Sequence, residues 1–276
     1  ELGCASGGNL IPMAACLPES HFVGVDFSSR QIASGQETAA ALGLGNIRLV
    51  TQDFREIPSD FGAFDYIIAH GIYSWVSSEV QSKILALCKQ CLAPNGVAIV
   101  SYGTYPGHHA RRAIREMMQY HSSRISDPNE RATQAKALVS FLNDSTRDSN
   151  QGYATMLREE VPRIREKLDA YLLHNDLELE YHPVYFAEFM NRATRAGLQF
   201  LEEAEITSSL FPSFAPEVLE TIDPSGDDQV RREQYVDFLT NRAFRETLLC
   251  HDHVSLRRSI GPDGLRPFLF ASRGDG

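Results

Sequence analysis

The chain has 276 residues, of which 43% are hydrophobic and 22% are charged, so it is long enough to bury a large core. Its formal net charge of -10 argues against binding to duplex nucleic acid, which requires a surplus of Lys and Arg. No apolar run reaches the roughly 20 residues that span a bilayer. We therefore expect an ordinary globular protein with neither a nucleic acid nor a membrane as its partner.

The cysteines and one histidine pair are weak signals for chemistry. Five cysteines with scattered spacing do not form a disulfide framework, which favours the reducing cytoplasm. Cys88 and Cys91 make a C-x-x-C, but they fall inside a predicted helix, so buried helix residues are favoured over a redox pair. His251 and His253 lack a further ligand at metal-binding spacing, so a strand end is favoured and no metal site is predicted.

The first hundred residues alternate between strand and helix patterns. After a short strand at Glu1 and Leu2 comes a glycine-rich turn. The pattern predicts helices at residues 9–17, 28–42 and 80–92. It predicts strands at residues 21–26, 46–52, 65–70 and 97–102, the last preceded by a turn at 94–96. Short apolar runs separated by helices indicate a parallel sheet covered on both faces, which is a doubly wound α/β domain. Because the chain opens inside a strand, we also suspect a clipped N-terminus.

The second half is predicted to return to the same sheet after a helical insertion. A helix is expected to begin with residues 182–186 and to run to about residue 195, followed by a strand at 198–206 and an antiparallel last strand at 244–251. The 70 or so residues from 110 to 179 are strongly helical. We expect them to cap the active site or to form the face of a homodimer. Residues 223–228 are predicted to be an exposed loop, and residues 260–276 the start of a further domain.

Ligands of doubly wound sheets bind where the parallel strands end, and polar or aromatic residues follow each predicted strand here. The turn from Gly3 to Gly8 lets a ligand approach the backbone. Asp26, about 20 residues further on, can accept both hydroxyls of a ribose. Asp53 suits an exocyclic amine and Phe54 an adenine face. Residues 70–75 and 102–109 follow the next two strands.

Two adenosine-containing cofactors fit these positions. A nicotinamide dinucleotide usually asks for G-x-G-x-x-G, of which Gly3 and Gly8 supply two glycines while Ala5 takes the middle place. S-adenosylmethionine instead carries an ammonium and a sulfonium, so the acidic Glu1 just before the turn favours it. Asp53 and Phe54 favour the methyl donor further.

The chain resembles the class I S-adenosylmethionine-dependent methyltransferases. The motifs that carry the resemblance are E-L-G-C-A-S-G, G-V-D-F-S, V-T-Q-D-F, F-D-Y-I-I-A-H and L-A-P-N-G-V. Within this class, the chain resembles a bacterial group with a methyltransferase regulatory domain, which includes rickettsial outer-membrane-protein lysine methyltransferases. This closer resemblance is carried by H-G-I-Y-S-W-V and V-S-Y-G-T-Y-P-G-H-H. Ala5 departs from the glycine of the family's turn, and the family's N-terminal segment is missing, which puts closure over the substrate in doubt.

The resemblance implies a seven-stranded, mostly parallel methyltransferase-type (Rossmann-like) sheet with a helical insertion. Its expected domains are a cofactor-binding core (1–110), a helical regulatory segment (111–180), the return elements of the core (181–258) and a C-terminal extension (259–276). The implied activity is methyl transfer, with protein lysine as the acceptor. The alternatives are a non-catalytic S-adenosylmethionine-binding regulatory module and, third, an NAD(P)-dependent oxidoreductase.

The residues expected to bind the cofactor are Glu1, Gly3, Ala5, Gly7, Asp26, Phe27, Gln31, Asp53, Phe54 and His70. The catalytic candidates are Tyr73, Tyr105 and His70, within an acceptor pocket to which Trp75, Tyr102 and His108 are also candidates.

Several of these residues have a structural alternative. Phe54 and Trp75 can be packing residues, His70 can cap its strand while its backbone carbonyl holds the cofactor's ammonium, and Tyr105 and His108 can belong to a solvated loop. Asp26 has few structural reasons to stand at a strand end. The arginines at 111, 112 and 115 are interpreted as a solvated helix face, with recognition of an acidic protein substrate as the lesser alternative.

Overall fold

Helices and strands alternate in the first hundred residues, as predicted. The computed structural model describes residues 1–58, 60–205, 214–222 and 228–257. The strands are β1 (Phe22–Asp26), β2 (Ile47–Thr51), β3 (Phe64–Ala69), β4 (Leu92–Gly103), β5 (Leu198–Glu203) and β6 (Phe244–His251). The helices are α1 (Leu10–Cys16), α2 (Ser29–Ala41), α3 (Ser78–Cys91), α4 (His108–Ser122), α5 (Pro128–Ser145), α6 (Gly152–Arg165), α7 (Asp169–Tyr171), α8 (Phe186–Arg195), α9 (Pro216–Ile222) and α10 (Gln229–Thr240).

The strands form two sheets that the first residues of the chain join. β1 and β2 pair in parallel, and the other sheet has the order β3-β4-β6-β5, with β6 antiparallel to both neighbours. Between them, the Leu2 N–H donates to the Ile68 carbonyl at 2.7 Å and the Gly3 N–H to the Val25 carbonyl at 2.8 Å. The α/β class is confirmed. Within the described residues six strands are assigned, so the expected count of seven is not confirmed.

The helical segment has an apolar core of its own. α3 and α8 pack on the larger sheet through buried residues that include Ile84 and Phe189. A separate cluster joins α4, α5, α6 and the π-helical turn Leu172–Asp176. The residues of this second cluster include Ile114, Met118, Val139, Leu157 and Leu172. The predicted helical insertion is therefore present, and it buries a contiguous apolar surface.

The turn predicted at residues 94–96 is wrong. These residues lie inside β4, and the register of β4 against β3 shifts there, from Phe64 opposite Leu92 to Tyr66 opposite Val97. Gly96 packs closely against Leu92, since a Cβ on Gly96 would lie 2.8 Å from the Leu92 side chain, which explains why a glycine stands here. A Pro-Asn-Gly stretch that usually makes a turn is here an irregularity within a strand.

The weaker signals also have places in the fold. Cys88 and Cys91 are buried in α3, as predicted. His251 is the last residue of β6, which confirms the strand-end interpretation. β5 ends at Glu203, earlier than predicted, and residues 206–213 lie outside the described part. So do residues 223–227 of the predicted loop and all of 258–276. Among the described helices, none is both long and apolar enough to cross a membrane.

Candidate functional site

The glycine-rich turn that precedes α1 has a left-handed backbone at three positions. The φ angles are 77° at Gly3, 46° at Ala5 and 76° at Gly7. A Cβ on Gly3 would lie 3.0 Å from Ile72, so this position also needs a residue without a side chain. Ala5, which stands where the family has a glycine, adopts a left-handed backbone that alanine disfavours. The backbone path expected for a cofactor-binding turn is therefore retained at Ala5.

Asp26, the last residue of β1, is fixed by the turn and by the start of α2. One carboxylate oxygen accepts from the Ala5 N–H at 2.9 Å and the other from the Ser28 N–H at 2.8 Å. Each oxygen keeps a further lone pair, so both can still accept from a pair of hydroxyls. Nearby, the Gln31 N–H donates to the Ser28 hydroxyl, and the Phe27 ring is 76% exposed. These residues together form an edge suited to an adenosine ribose.

Glu1 has an unsatisfied carboxylate oxygen beside the same turn. Its Oε1 accepts from the Asn9 side chain at 3.4 Å, whereas its Oε2 is buried without a hydrogen-bond partner among the described residues. Burial raises the pKa of this carboxyl. An unpaired buried carboxylate is unfavourable, and a cation placed against it would relieve that cost. The residue therefore fits a ligand with a positive charge.

Asp53 and Phe54 follow β2 and face different surroundings. Hydrogen bonds from the Arg55 side chain, the shortest at 2.6 Å, lower the pKa of the Asp53 carboxyl to about 2. Phe54 is buried in the core of the larger sheet. The burial of Phe54 favours its role as a packing residue. Contact between Phe54 and an adenine stays a prediction.

His70 follows β3 at the same edge of the sheet. Its Nδ1 lies 3.3 Å from a carboxylate oxygen of Glu246, and its ring contacts Phe244 edge-on. The next residue, Gly71, has a φ of 70°, and its N–H donates to the Ser101 hydroxyl at 2.8 Å. The end of β3 is thus fixed to β4, with half of the His70 side chain open to solvent.

A cavity of about 410 Å³ lies between this edge and the helical segment. The predicted pocket residues that line it are His70, Trp75, Tyr102 and His108. Tyr73 lies instead in the core, fully buried against Tyr102 and Phe189. Tyr105 stacks on His109 and accepts from Arg112 at 3.1 Å. The geometry thus groups only part of the predicted acceptor pocket.

The arginines at 111, 112 and 115 were interpreted as a solvated helix face, and the position of Arg115 contradicts this. It is only 7% exposed, and its guanidinium donates to the carbonyls of Asn175 and Glu178. The guanidinium also lies over the rings of Tyr181, at 4.5 Å, and Trp75, at 5.5 Å. The interpretation was wrong for Arg115 because the chain after α7 folds back across α4, which helical periodicity does not reveal.

Tyr181 is a site residue that sequence reasoning missed. Its hydroxyl lies 2.7 Å from the Nε2 of His108, and both residues line the cavity. Gly103 makes room for the pair, because a Cβ there would lie 2.1 Å from the Tyr181 hydroxyl. The available signal was a tyrosine just before the His-Pro that precedes α8. Burial raises the pKa of Tyr181 and lowers that of His108 to about 3.

The neutral state of His108 predicts a pH dependence of stability. Because its pKa is depressed in the folded chain, the unfolded chain binds the extra proton first, and stability falls as pH drops through the unfolded pKa of about 6.5. We expect protonation of His108 in the unfolded chain to lower the free energy of unfolding by about 2 kcal/mol between pH 7 and pH 5, at about 1.36 kcal/mol per pKa unit. Urea unfolding at both pH values should show this loss in wild type and in the exposed-site control His121→Gln. The loss should be smaller in His108→Gln, and equal losses in all three would contradict the assignment.

A larger cavity of about 940 Å³ lies elsewhere. Its lining is mostly apolar and includes Leu10, Phe22, Phe61, Ile68 and Ile99. It reaches the amino-terminal ends of β1 and β3, opposite the ends that carry Asp26 and His70. Glu1 also lines this larger cavity, but Asp26, the Gly3 turn and His70 lie at the other edge, so the smaller cavity and the turn form the candidate site.

Two known families match parts of the chain. A family described as "Methyltransferase domain" matches residues 1–96, and one described as "Predicted methyltransferase regulatory domain" matches residues 168–251. The first match covers the turn, Asp26 and His70. The second covers Tyr181 and the return strands.

Two relatives of the chain and one similar solved structure come from Rickettsia. It is 44% identical to uncharacterized protein RP789 of Rickettsia prowazekii over 97% of this chain and 48% of that protein. It is 39% identical to uncharacterized protein RP028 of the same organism, over 73% of this chain and 80% of that protein. The structure of PKMT2 from Rickettsia typhi, also solved in complex with AdoHcy, superposes with a TM-score of 0.87 at 38% identity. That match covers 96% of this chain and 50% of PKMT2, so the chain spans about half the length of RP789 and of PKMT2.

Proposed function

The chain belongs to the class I S-adenosylmethionine-dependent methyltransferases that carry a methyltransferase regulatory domain, and from this premise we propose that it methylates lysine side chains of proteins. The observation that carries the proposal is the pair of carboxylates around the Gly3 turn. Glu1 offers an unpartnered oxygen to a cation, and Asp26 offers two oxygens to a ribose. The lysine acceptor is supported by the resemblance to rickettsial lysine methyltransferases.

The residues at the strand ends fit S-adenosylmethionine better than a nicotinamide dinucleotide. A dinucleotide needs donors for its pyrophosphate, whereas a buried carboxylate beside the turn repels a phosphate. When bound, S-adenosylmethionine supplies a methyl group on a positively charged sulfur. Glu1 and the backbone at His70 would hold its amino-acid part, and Asp26 its ribose. The AdoHcy bound to PKMT2 of Rickettsia typhi supports this assignment.

The cavity next to this edge suits an amine that must arrive uncharged. Deprotonating a lysine at pH 7 costs about 4.6 kcal/mol, from a reference pKa of ~10.4. Four cationic side chains line the cavity, Arg111, Arg115, Arg163 and Lys167, against the two carboxylates of Glu160 and Asp176. A net positive lining lowers the pKa of an amine that enters, because like charges disfavour the ammonium. The cavity thus contributes to activating the acceptor.

We propose that Glu1–Gly3 acts as the seventh strand, since it makes backbone hydrogen bonds toward both β1 and β3. The protein substrate would reach the cavity from the helical segment, and a homodimer through that segment remains a prediction. A cytoplasmic location is supported by the five cysteines, all of which are free thiols.

Methyl transfer to lysine can be measured directly. The purified chain is incubated with isotopically labelled S-adenosylmethionine and a mixture of lysine-containing proteins, and tryptic peptides are analysed by mass spectrometry. We expect labelled methyl groups on lysine, absent with Asp26→Ala and present with Asp60→Ala, a change at an exposed site. Label found only on carboxylates or other side chains would contradict the lysine assignment while leaving methyl transfer intact.

A further inference from the structure

Tyr181 lies where the cofactor edge meets the helical segment. The cavity is bordered by His70 and Gly71, which follow β3, and by Tyr102 and Gly103 at the end of β4. Tyr181 belongs to the same lining and contacts the helical segment through Arg115. An acceptor bound in this cavity can therefore contact the tyrosine.

Two neighbouring side chains contact the ring of Tyr181. Its centroid lies 4.3 Å from that of Trp75, and the Arg115 guanidinium lies 4.5 Å from it. The hydroxyl is fixed by His108 at 2.7 Å, in space that only a glycine at position 103 leaves open. A polar group held this rigidly needs little reorganisation when a substrate binds, which is the property expected of a residue that orients a reacting atom.

The Tyr181 oxygen retains hydrogen-bonding capacity toward the cavity. A phenol oxygen has one proton and two lone pairs, and His108 takes only one of these three positions. Whichever of the two groups donates, at least one lone pair stays free. Burial keeps the phenol protonated, so the oxygen is a neutral acceptor rather than an anion that would stabilise an ammonium.

We propose that Tyr181 is a catalytic residue, whose hydroxyl oxygen accepts a hydrogen bond from an N–H of the incoming amine and so directs the nitrogen lone pair toward the cofactor edge. This assignment rests on the proposed lysine methylation. His108 is then a positioning residue that holds the hydroxyl. Trp75 and Arg115 hold the ring.

The test is steady-state methylation of a lysine peptide by Tyr181→Phe, which keeps the ring contacts and removes only the hydroxyl. We expect kcat to fall about 10- to 100-fold, the scale of one hydrogen bond to an ionisable group. The KM for the peptide, the Kd for S-adenosylhomocysteine and the melting temperature should stay close to wild type. Tyr120→Phe is the matched control, because that ring is 86% exposed on α4.

A second variant separates orientation from folding. His108→Gln should lower kcat less than Tyr181→Phe, since the tyrosine oxygen remains while its direction loosens. An unchanged kcat in Tyr181→Phe contradicts the proposed role of Tyr181 and leaves the proposed lysine methylation standing. A parallel loss of cofactor affinity and melting temperature also contradicts it, since it indicates a structural role. If the wild-type chain methylates another side chain and not lysine, the proposed acceptor itself is wrong.

Discussion

Replacing Asp26 by alanine should weaken binding of S-adenosylhomocysteine at least about 100-fold, because two hydrogen bonds from ribose hydroxyls to a carboxylate are lost. The change also removes the acceptor of the Ala5 and Ser28 N–H groups, so the turn loses its anchor to β1. Both effects act in the same direction. Isothermal titration of the variant and of the wild-type chain measures the difference.

Two further variants identify the cause of this loss. Asp26→Asn keeps one oxygen acceptor without the charge and should bind with intermediate affinity. Asp60→Ala removes an exposed carboxylate from a chain of net charge -10 and should bind as wild type does. A Kd for Asp26→Ala within a few-fold of wild type would remove Asp26 from the site.

Replacing Arg245 by alanine should produce the largest loss of stability. Arg245 is wholly buried in β6, and its guanidinium pairs with Glu203 at 2.6 Å, Asp237 at 2.8 Å and Glu233 at 3.0 Å. It also lies 3.9 Å from the Phe186 ring centroid. Removing it leaves three buried carboxylates near one another, and breaking even one buried pair costs about 3–5 kcal/mol. The free energy of unfolding in urea should fall by at least this amount.

The controls for Arg245 address charge and geometry. Arg245→Lys keeps the charge but not the planar fork that serves three partners, so we expect an intermediate loss. Arg195→Ala removes an exposed arginine at the end of α8 and should leave the unfolding free energy nearly unchanged. A loss below about 1 kcal/mol in Arg245→Ala would mean that the ion cluster does not stabilise the return strands.

The elements of the first hundred residues could be predicted because each is encoded locally. Apolar runs mark β1 to β4, and a Ser28 cap marks the start of α2. Asp26 could be placed at the site because strand ends meet at one edge of a parallel sheet. Pro94 to Gly96 misled the prediction, since their turn chemistry is absorbed by a register shift that depends on the partner strand.

The residues that were missed depend on contacts between distant parts of the chain. Tyr181 contacts His108 across a sequence separation of 73 residues, and Arg115 is buried by carbonyls some 60 residues further on. Arg245 looks like any alternating polar residue of a strand until Glu203 and α10 close around it. Periodicity assigns such side chains to a face, but it does not reveal what covers that face.

A crystal structure of the chain in complex with S-adenosylhomocysteine tests most directly whether the Gly3 turn and Asp26 bind the cofactor. We expect both ribose hydroxyls to lie within hydrogen-bond distance of the Asp26 carboxylate and the amino group to lie beside Glu1. The sulfur should face the cavity that Tyr181 lines. Density for the ligand in the larger apolar cavity at the amino-terminal ends of β1 and β3, with Asp26 free, would contradict it.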